Sequence, residues 1–389
     1  MSFNIALAGI NAINGQLNQI SNNIANSGTL GFKSGRANFA SSYINAMPSG
    51  VSIGSTSQSM DVTGNFSATG RGMDAAIAGK GFFISRDTDG SMVYSRAGMF
   101  NIDKNGNVTD FMSRVVQGYG ADGALGSLTI PRGSIPAQAS SSLEYVGNMS
   151  ADWTKPTVSP FNKDDPKSYN GISAATVTDS LGREHTVTQY FVKDAGNKMQ
   201  VYYAMDGQDV GNPVELGFDN TGKLVTPAST VQLDLGTPTD AAPMSIAISY
   251  AGTTMFGGKQ TTDRCRADGY KAGTATGVSL AEDGSIEVQY SNGKKLSAGQ
   301  LAIATFQNEN GLVPVEGSGW QASSATGEPL VGKPGTGMAG KLAVRAVEQS
   351  NVDMTAELVS LMGAQQNYQA NSKVLSTENE MMRALMQAL

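Results

Sequence analysis

At 389 residues the chain exceeds the usual size of one hydrophobic core, so roughly two to four domains are expected, and its 47 glycines point to many turns. Charged residues make up only 15%, the formal net charge is -6, and the lysines and arginines are scattered rather than clustered, which argues against a nucleic-acid partner. One cysteine, Cys265, excludes an internal disulfide, and one histidine, His185, leaves little for a metal site or cofactor.

The N-terminus lacks a basic n-region, an apolar h-region and a small-residue cleavage site, and no apolar run is long enough to span a bilayer. By ordinary rules a cytosolic chain without membrane insertion is expected. Phe3, Ile10, Leu17 and Ile24 fall seven apart, and Ala6, Ile13 and Ile20 fill the position three further on, the a/d stripe of a coiled-coil helix. No charged side chain precedes Lys33; the polar face is built from Asn11, Asn14, Gln16, Asn18, Gln19, Asn22 and Asn23. Neutral amides suit a crowded helix bundle, whereas a lone surface helix is normally laced with charges. The run Asn22-Asn23-Ile24-Ala25-Asn26-Ser27-Gly28-Thr29-Leu30-Gly31-Phe32-Lys33 follows, with Asn26 and Gly28 as stop residues.

Residues 31–69 are rich in Ser, Gly and Asn with short apolar islands at Phe39, Val51 and Phe66, and read as an extended connector with little core of its own. From 70 to 145 the signals are β: Phe82 to Ser85 and Met92 to Ser95 flank Asp89-Gly90, while Phe100 to Ile102 and Val108 flank Asn105-Gly106. In the middle of the chain, Glu184 to Lys193 and Lys198 to Met205 are joined by Asp194-Ala195-Gly196-Asn197, with Met199, Val201, Tyr203 and Met205 on one face. Val231, Leu233 and Leu235, then Ile246, Ile248 and Tyr250, supply further strands. Later Val278 and Leu280 alternate with Ile286, Val288 and Tyr290 around Asp283-Gly284, and Leu301 to Phe306 adds another apolar strand. Gly317 to Gly340 holds seven glycines and two prolines and is expected to be irregular.

At the C-terminal end Val347, Met354, Leu361, Tyr368, Leu375, Met382 and Leu389 again recur every seven residues, and Leu358 to Ser372 is again uncharged. The two chain ends are therefore expected to pair. Closure of one intramolecular core is the simpler alternative, but Gly9, Gly15 and Gly363 each cost about 1 kcal/mol relative to alanine inside a helix. Both helices are expected to be poorly ordered alone and to fold fully against neighbouring copies. The expected fold is multidomain and mainly β, with paired N- and C-terminal α-helices forming a coiled-coil-like inner domain. Its parts are 1–30 with 345–389 (helical), 31–69 with 317–344 (connector), 70–145 with 265–316 (a β domain) and 146–264 (an inserted outer β domain).

Motifs with apparent chemistry fail on inspection. Gly327 to Lys333 imitates a phosphate-binding loop, but Pro334 stands where a Ser or Thr should ligate magnesium. Asp87-Thr88-Asp89-Gly90 and Asp103-Lys104-Asn105-Gly106-Asn107 suggest calcium loops, yet Gly98 and Arg114 occupy the position of the bidentate Glu. His185 lies in a strand-like run with no matched nucleophile or carboxylate, and Cys265 between Arg264 and Arg266 reads as incidental. No catalytic, cofactor-binding or metal residue is expected.

Several stretches together resemble one family. The asparagine pair Asn22 and Asn23, Ala25-Asn26, Thr29 and Gly31-Phe32-Lys33 resemble the N-terminal signature of the bacterial flagellar rod and hook proteins. Gly70 to Ile77, Gly79 to Phe83 and Tyr94 to Phe100 are similar to that family's next block, and Asp283-Gly284, Tyr290 to Gly293, Gly299 to Ala302 and Phe306 to its returning segment. Asn351, Asp353, Gln365, Tyr368, Gln369 and Asn371 fall in a stretch that resembles the C-terminal signature. The resemblance implies a self-assembling structural subunit whose terminal helices line an inner tube and whose β domains form outer layers. It further implies a homopolymer acting as a curved, flexible universal joint that passes torque. Distal rod, hook cap and hook–filament junction proteins would be its neighbours, and export through the flagellar type III apparatus would account for the missing signal peptide. The residues expected to carry subunit packing are Phe3, Ile10, Leu17, Ile24, Met354, Leu361, Tyr368, Leu375, Met382 and Leu389. A distal rod protein of the same family, which shares both terminal signatures but is shorter and forms a straight shaft, is the nearer alternative, against which the inserted segment 146–264 argues, and a secreted β-rich adhesin is the more distant one.

Overall fold

The computed structural model describes residues 2–44 and 47–388, and the chain is mainly β with a helix at each end. It parts into two compact units. One holds the residues up to Arg132 with Gly277–Gln289 and those from Lys295 onward; the other holds Gly133–Thr276 with Tyr290–Lys294.

In the first unit, helix α1 (Ser2–Ala25) and helix α2 (Met354–Ala388) pack together. At 24 and 35 residues they are about 36 and 52 Å long at the helical rise of 1.5 Å. Asn23 meets Glu357 and Gly9 lies against Asn371, an equal step along both helices in opposite senses, so the pair is antiparallel and α2 runs on past the start of α1. The α2 start is capped by Asp353, whose Oδ1 accepts from the backbone N–H of Thr355 (2.9 Å) and Ala356 (3.1 Å). The heptad series therefore begins at Met354. Val347 lies instead in the strand Ala346–Glu348, buried against Phe66–Ala68, because the ladder to that strand leaves no room for an earlier turn of helix.

Residues 31–69 depart from the expected connector. Gly35–Ile44 and Met47–Gln58 form a long antiparallel hairpin laid on α1. The Ser-rich strands own few apolar side chains, so the hairpin borrows its core from the helix. A Cβ at Gly15 would sit 2.1 Å from Ile53 Cδ1. The stretch 317–340 also departs from expectation, since Gly319–Gln321 and Leu330–Gly332 pair with strands of the unit's main sheet. That sheet runs Lys295–Leu301, Val115–Gly120, Phe82–Arg86, Met92–Ser95, Gly319–Gln321, Val313–Val315. Its core stacks Phe82 edge-on to Phe306 and Trp320, at centroid distances of 6.0 and 5.6 Å, and the Trp320 Nε1–H donates to Gln58 Oε1 at the base of the hairpin.

The second unit is a pair of five-stranded sheets. Val231–Gly236, Met244–Ser249, Ser142–Ser150, Thr254–Phe256 and Thr261–Ala267 form one; Gly171–Thr178, Glu184–Lys193, Lys198–Met205, Gln208–Phe218 and Leu224–Thr226 form the other. Period-two alternation sends Val187, Gln189, Phe191, Met199, Val201 and Tyr203 inward. Within the core Tyr203 and Tyr250 share a hydroxyl hydrogen bond (2.8 Å), and the Tyr250 hydroxyl donates to Gln189 Oε1 (2.7 Å).

Candidate assembly site at the joined chain ends

Both chain-end signatures meet in one place, and the chemistry there starts with Lys33. A lone cation in an otherwise uncharged stretch needs a counter-charge if it is buried. Lys33 is buried, and its Nζ donates to Glu348 Oε1 and to the carbonyl of Val62, both at 2.7 Å. The backbone N–H of Gly64 donates to the same carboxylate oxygen at 3.0 Å. Glu348 Oε2 faces the buried Arg96 guanidinium at 3.5 Å, and Arg96 also donates to the carbonyls of Ile77 (3.1 Å) and Gly79 (2.8 Å). Two buried cations thus share one carboxylate. Burial pushes the Lys33 ammonium below its ordinary range, and Glu348 opposes that; the Arg96 guanidinium is lowered and supported in the same way.

Backbone geometry ties the signatures around this charge cluster. Gly31 sits in the left-handed region at φ +68, and a Cβ there would lie 2.7 Å from Ala97 N. Its N–H donates to the carbonyl of Glu348 at 2.8 Å. Asn351 works as a staple: Oδ1 accepts from Ser34 N–H (2.7 Å), Nδ2 donates to the carbonyls of Ser59 (2.9 Å) and Val62 (3.0 Å), and its own N–H donates to Phe32 O (3.3 Å). Asn23, buried on α1, exchanges two hydrogen bonds with the Gly35 backbone (2.8 and 2.9 Å) and donates to Glu357 Oε1 at 2.8 Å. Asn26 ends the helix by donating to the carbonyl and Oδ1 of Asn22, both at 2.9 Å, while Thr29 Oγ1 donates to Asn26 Oδ1 at 3.0 Å. The helix stops at Ala25, beside the expected stop residues Asn26 and Gly28, and the left-handed residue of the turn is Gly31.

The remaining signature residues lie along the helices. Ala25, Gln365, Tyr368 and Gln369 are exposed, and Asn371 is half-buried beside Gly9 with Nδ2 donating to Asn367 O at 2.9 Å. Of the a/d stripe on α1, Ala6, Ile13 and Ile20 are buried, whereas Ile10, Leu17 and Ile24 are half-buried and Phe3 is exposed. On α2, Leu361 and Leu375 are half-buried, Met354, Tyr368 and Met382 are exposed, and Leu389 lies outside the described residues. The seam on α2 is thin: its companion positions are Glu357, Ala364, Asn371 and Glu378. Apolar side chains therefore remain in water on its outer side, including Leu358 (47%), Val359 (59%), Met362 (55%) and Met386 (71%). Beside the pair, Ile5, Gly9, Ala12, Phe39, Val51 and Asn371 line an open apolar groove between both helices and the hairpin.

Sequence reasoning did not single out Glu348 or the role of Arg96. Lys33 itself was the available signal, but its counter-ion is 315 residues away, beyond any local pattern. The motifs discounted as chemistry are turns and strands. Asp103 binds the N–H groups of Asn105 and Asn107 in a hairpin turn, and Leu330–Gly332 of the false phosphate loop is a strand. His185 does have carboxylates that spacing could not match: Nδ1 lies 2.6 Å from Asp206 Oδ2 and Nε2 lies 3.4 Å from Asp179 Oδ2, joining two hairpin turns. Cys265 is half-buried and meets Gln189 Nε2 at 3.8 Å.

Comparison with known proteins agrees along the whole chain. Three family models match: the flagellar basal body protein FlaE D2 domain over residues 148–270, the flagellar hook protein FlgE/F/G D1 domain over 76–150, and the flagellar basal body rod FlgEFG protein C-terminal region over 344–388. The flagellar hook protein FlgE of Escherichia coli is 34% identical over 400 residues, covering 99% of each chain. That of Brucella suis is 29% identical, covering 97% of this chain and 96% of its own. The solved structure of the Helicobacter pylori flagellar hook protein FlgE2 superposes with a TM-score of 0.54 at 13% identity, covering 73% of this chain and all of that one, a likeness of fold.

Proposed function

We propose, from the premise that this chain belongs to the flagellar hook protein FlgE family, that its joined ends are the surface on which successive subunits pack. The protein is a structural, non-enzymatic subunit of the hook, the extracellular segment of the flagellum, where it assembles as a polymer in the service of motility. Phe3, Ile10, Leu17, Ile24, Met354, Leu361, Tyr368, Leu375, Met382 and Leu389 carry that packing, each subunit adding head to tail so that a contact which never closes generates a helical tube. Residues 1–30 and 345–389 line its inside, and 146–264 lies outermost. Bending, as a universal joint requires, is taken up by polar outer contacts that slide while the inner packing keeps register. Distal rod, hook cap and hook–filament junction proteins adjoin the polymer, and its subunits leave the cell through the flagellar type III export apparatus.

The observation that carries the reading is α2 itself. A helix of 35 residues that packs chiefly on α1 and leaves Met354, Leu358, Val359, Met362, Val374 and Met386 in water is unfinished as a monomer and complete once neighbours cover it. The match to flagellar hook proteins along almost the whole chain, the segment 146–264 included, favours hook over rod. Immuno-electron microscopy with antibodies against residues 150–260 tests it: label is expected on a short curved segment between cell surface and filament. Label within the envelope would point to the rod, and label spread over the cell surface to an adhesin.

A further inference from the structure

We infer that the two chain-end signatures are halves of one interlock, in which Glu348 is the shared counter-ion of Lys33 and Arg96, so that neither half is ordered without the other. The polar contacts that close the joint run from one half to the other. Lys33 and Gly31 reach the side chain and the carbonyl of Glu348; Ser34 and Phe32 bond Asn351; Asn23 bonds Glu357. Neither half can satisfy itself. Without the C-terminal strand, Lys33 keeps only the Val62 carbonyl as a hydrogen-bond partner, and the carboxylate that bonds it and faces the like-charged Arg96 guanidinium is gone. Without the N-terminal turn, Glu348 keeps the Gly64 N–H and Arg96, and Asn351 loses its Phe32 and Ser34 partners. Packing reinforces the coupling, since Gly64 passes so close to the C-terminal segment that a Cβ there would fall 1.9 Å from Gln349 O. The consequence is a completeness check: the N-terminal turn docks onto the β body only in a chain whose residues beyond 345 are also in place.

Hydrogen exchange of the full-length chain, followed in peptides covering 26–35 and 346–352, tests this in solution and in polymers where a variant is a minor component among unmodified subunits. The variants are Lys33→Met, Glu348→Gln and the two combined. Each single change is expected to speed exchange in both peptides together, by roughly 100-fold wherever the unmodified chain is protected. The double variant is expected to be no worse than the worse single one, as two members of one lock require. Protection of one peptide while the other exchanges freely, in any variant or in the unmodified chain, would overturn the inference, as would additive effects of the two substitutions. Because the readout is internal to one chain, failure here leaves the packing of neighbours untouched, and failure of that packing with paired protection leaves the interlock standing.

Discussion

Single residues set the local terms of this molecule. Gly31 is the sharpest case: replacement by alanine forces a side chain into the left-handed region and against Ala97, and is expected to cost ~1–2 kcal/mol or more. A chemical-melt midpoint for the first unit measures it, and an unchanged midpoint would refute the constraint. His185 offers a second test, because as the chain's one histidine its ring signals need no assignment. The Asp206 hydrogen bond, opposed in part by burial and joined by Asp179, raises its pKa above 6.5, so its contribution to stability is full below that value and fades as pH climbs through the raised one. For Asp179 burial works the other way, but the Arg183 backbone and guanidinium and His185 outweigh it and hold the carboxyl down to about 2. That contribution is present above pH 3.8 and is lost as pH falls from there towards 2. His185→Gln should remove the upper limb of the stability profile of the second unit and shrink the lower one to what Arg183 sustains; a profile identical to the unmodified one would count against the pairing. From the residues alone His185 is legible as a strand residue. Its two carboxylates come from turns that the strand register alone brings together.

At the scale of elements, the terminal helices decide between a closed core and an open surface. Their heptads were legible because a period of 3.5 survives in sequence whatever covers it. Which row faces inward was not. Ile13 and Ile20 form a buried cluster with Ala364 of α2, while Leu17 and Ile24 pack against it half-covered. Leu17→Asp and Leu361→Asp are each expected to abolish polymer formation, seen by electron microscopy, while the β circular-dichroism signal stays intact; normal polymers from either variant would defeat the packing proposal. Asp353→Ala removes a cap and should cost about 1 kcal/mol of helix stability, read as faster exchange over the first turn of α2 and nowhere else. The hairpin 35–58 shows the opposite limit. Its Ser-rich strands have too few apolar positions to announce a sheet, and only the helix beneath supplies the burial that holds them.

For the whole molecule, two units with separate cores imply two unfolding events. Met199→Ala empties a fully buried position in the second unit and should lower one calorimetric transition by ~2–5 kcal/mol without moving the other. A single transition that shifts as one would show that the cores unfold together.

By itself the sequence determined the class of protein and most of its strands. Alternating apolar residues, tight-turn dipeptides and terminal heptads are local patterns, each complete within ten to twenty residues or so, and Glu184–Lys193 and Lys198–Met205 emerge with the bounds read from them. Tertiary structure alone decided the joint. Lys33 is an isolated charge until the fold closes a loop of 315 residues and sets Glu348 beside it. Burial then turns that one contact from a weak surface pair into a requirement, because a charge taken out of water must find its partner wherever along the chain that partner lies.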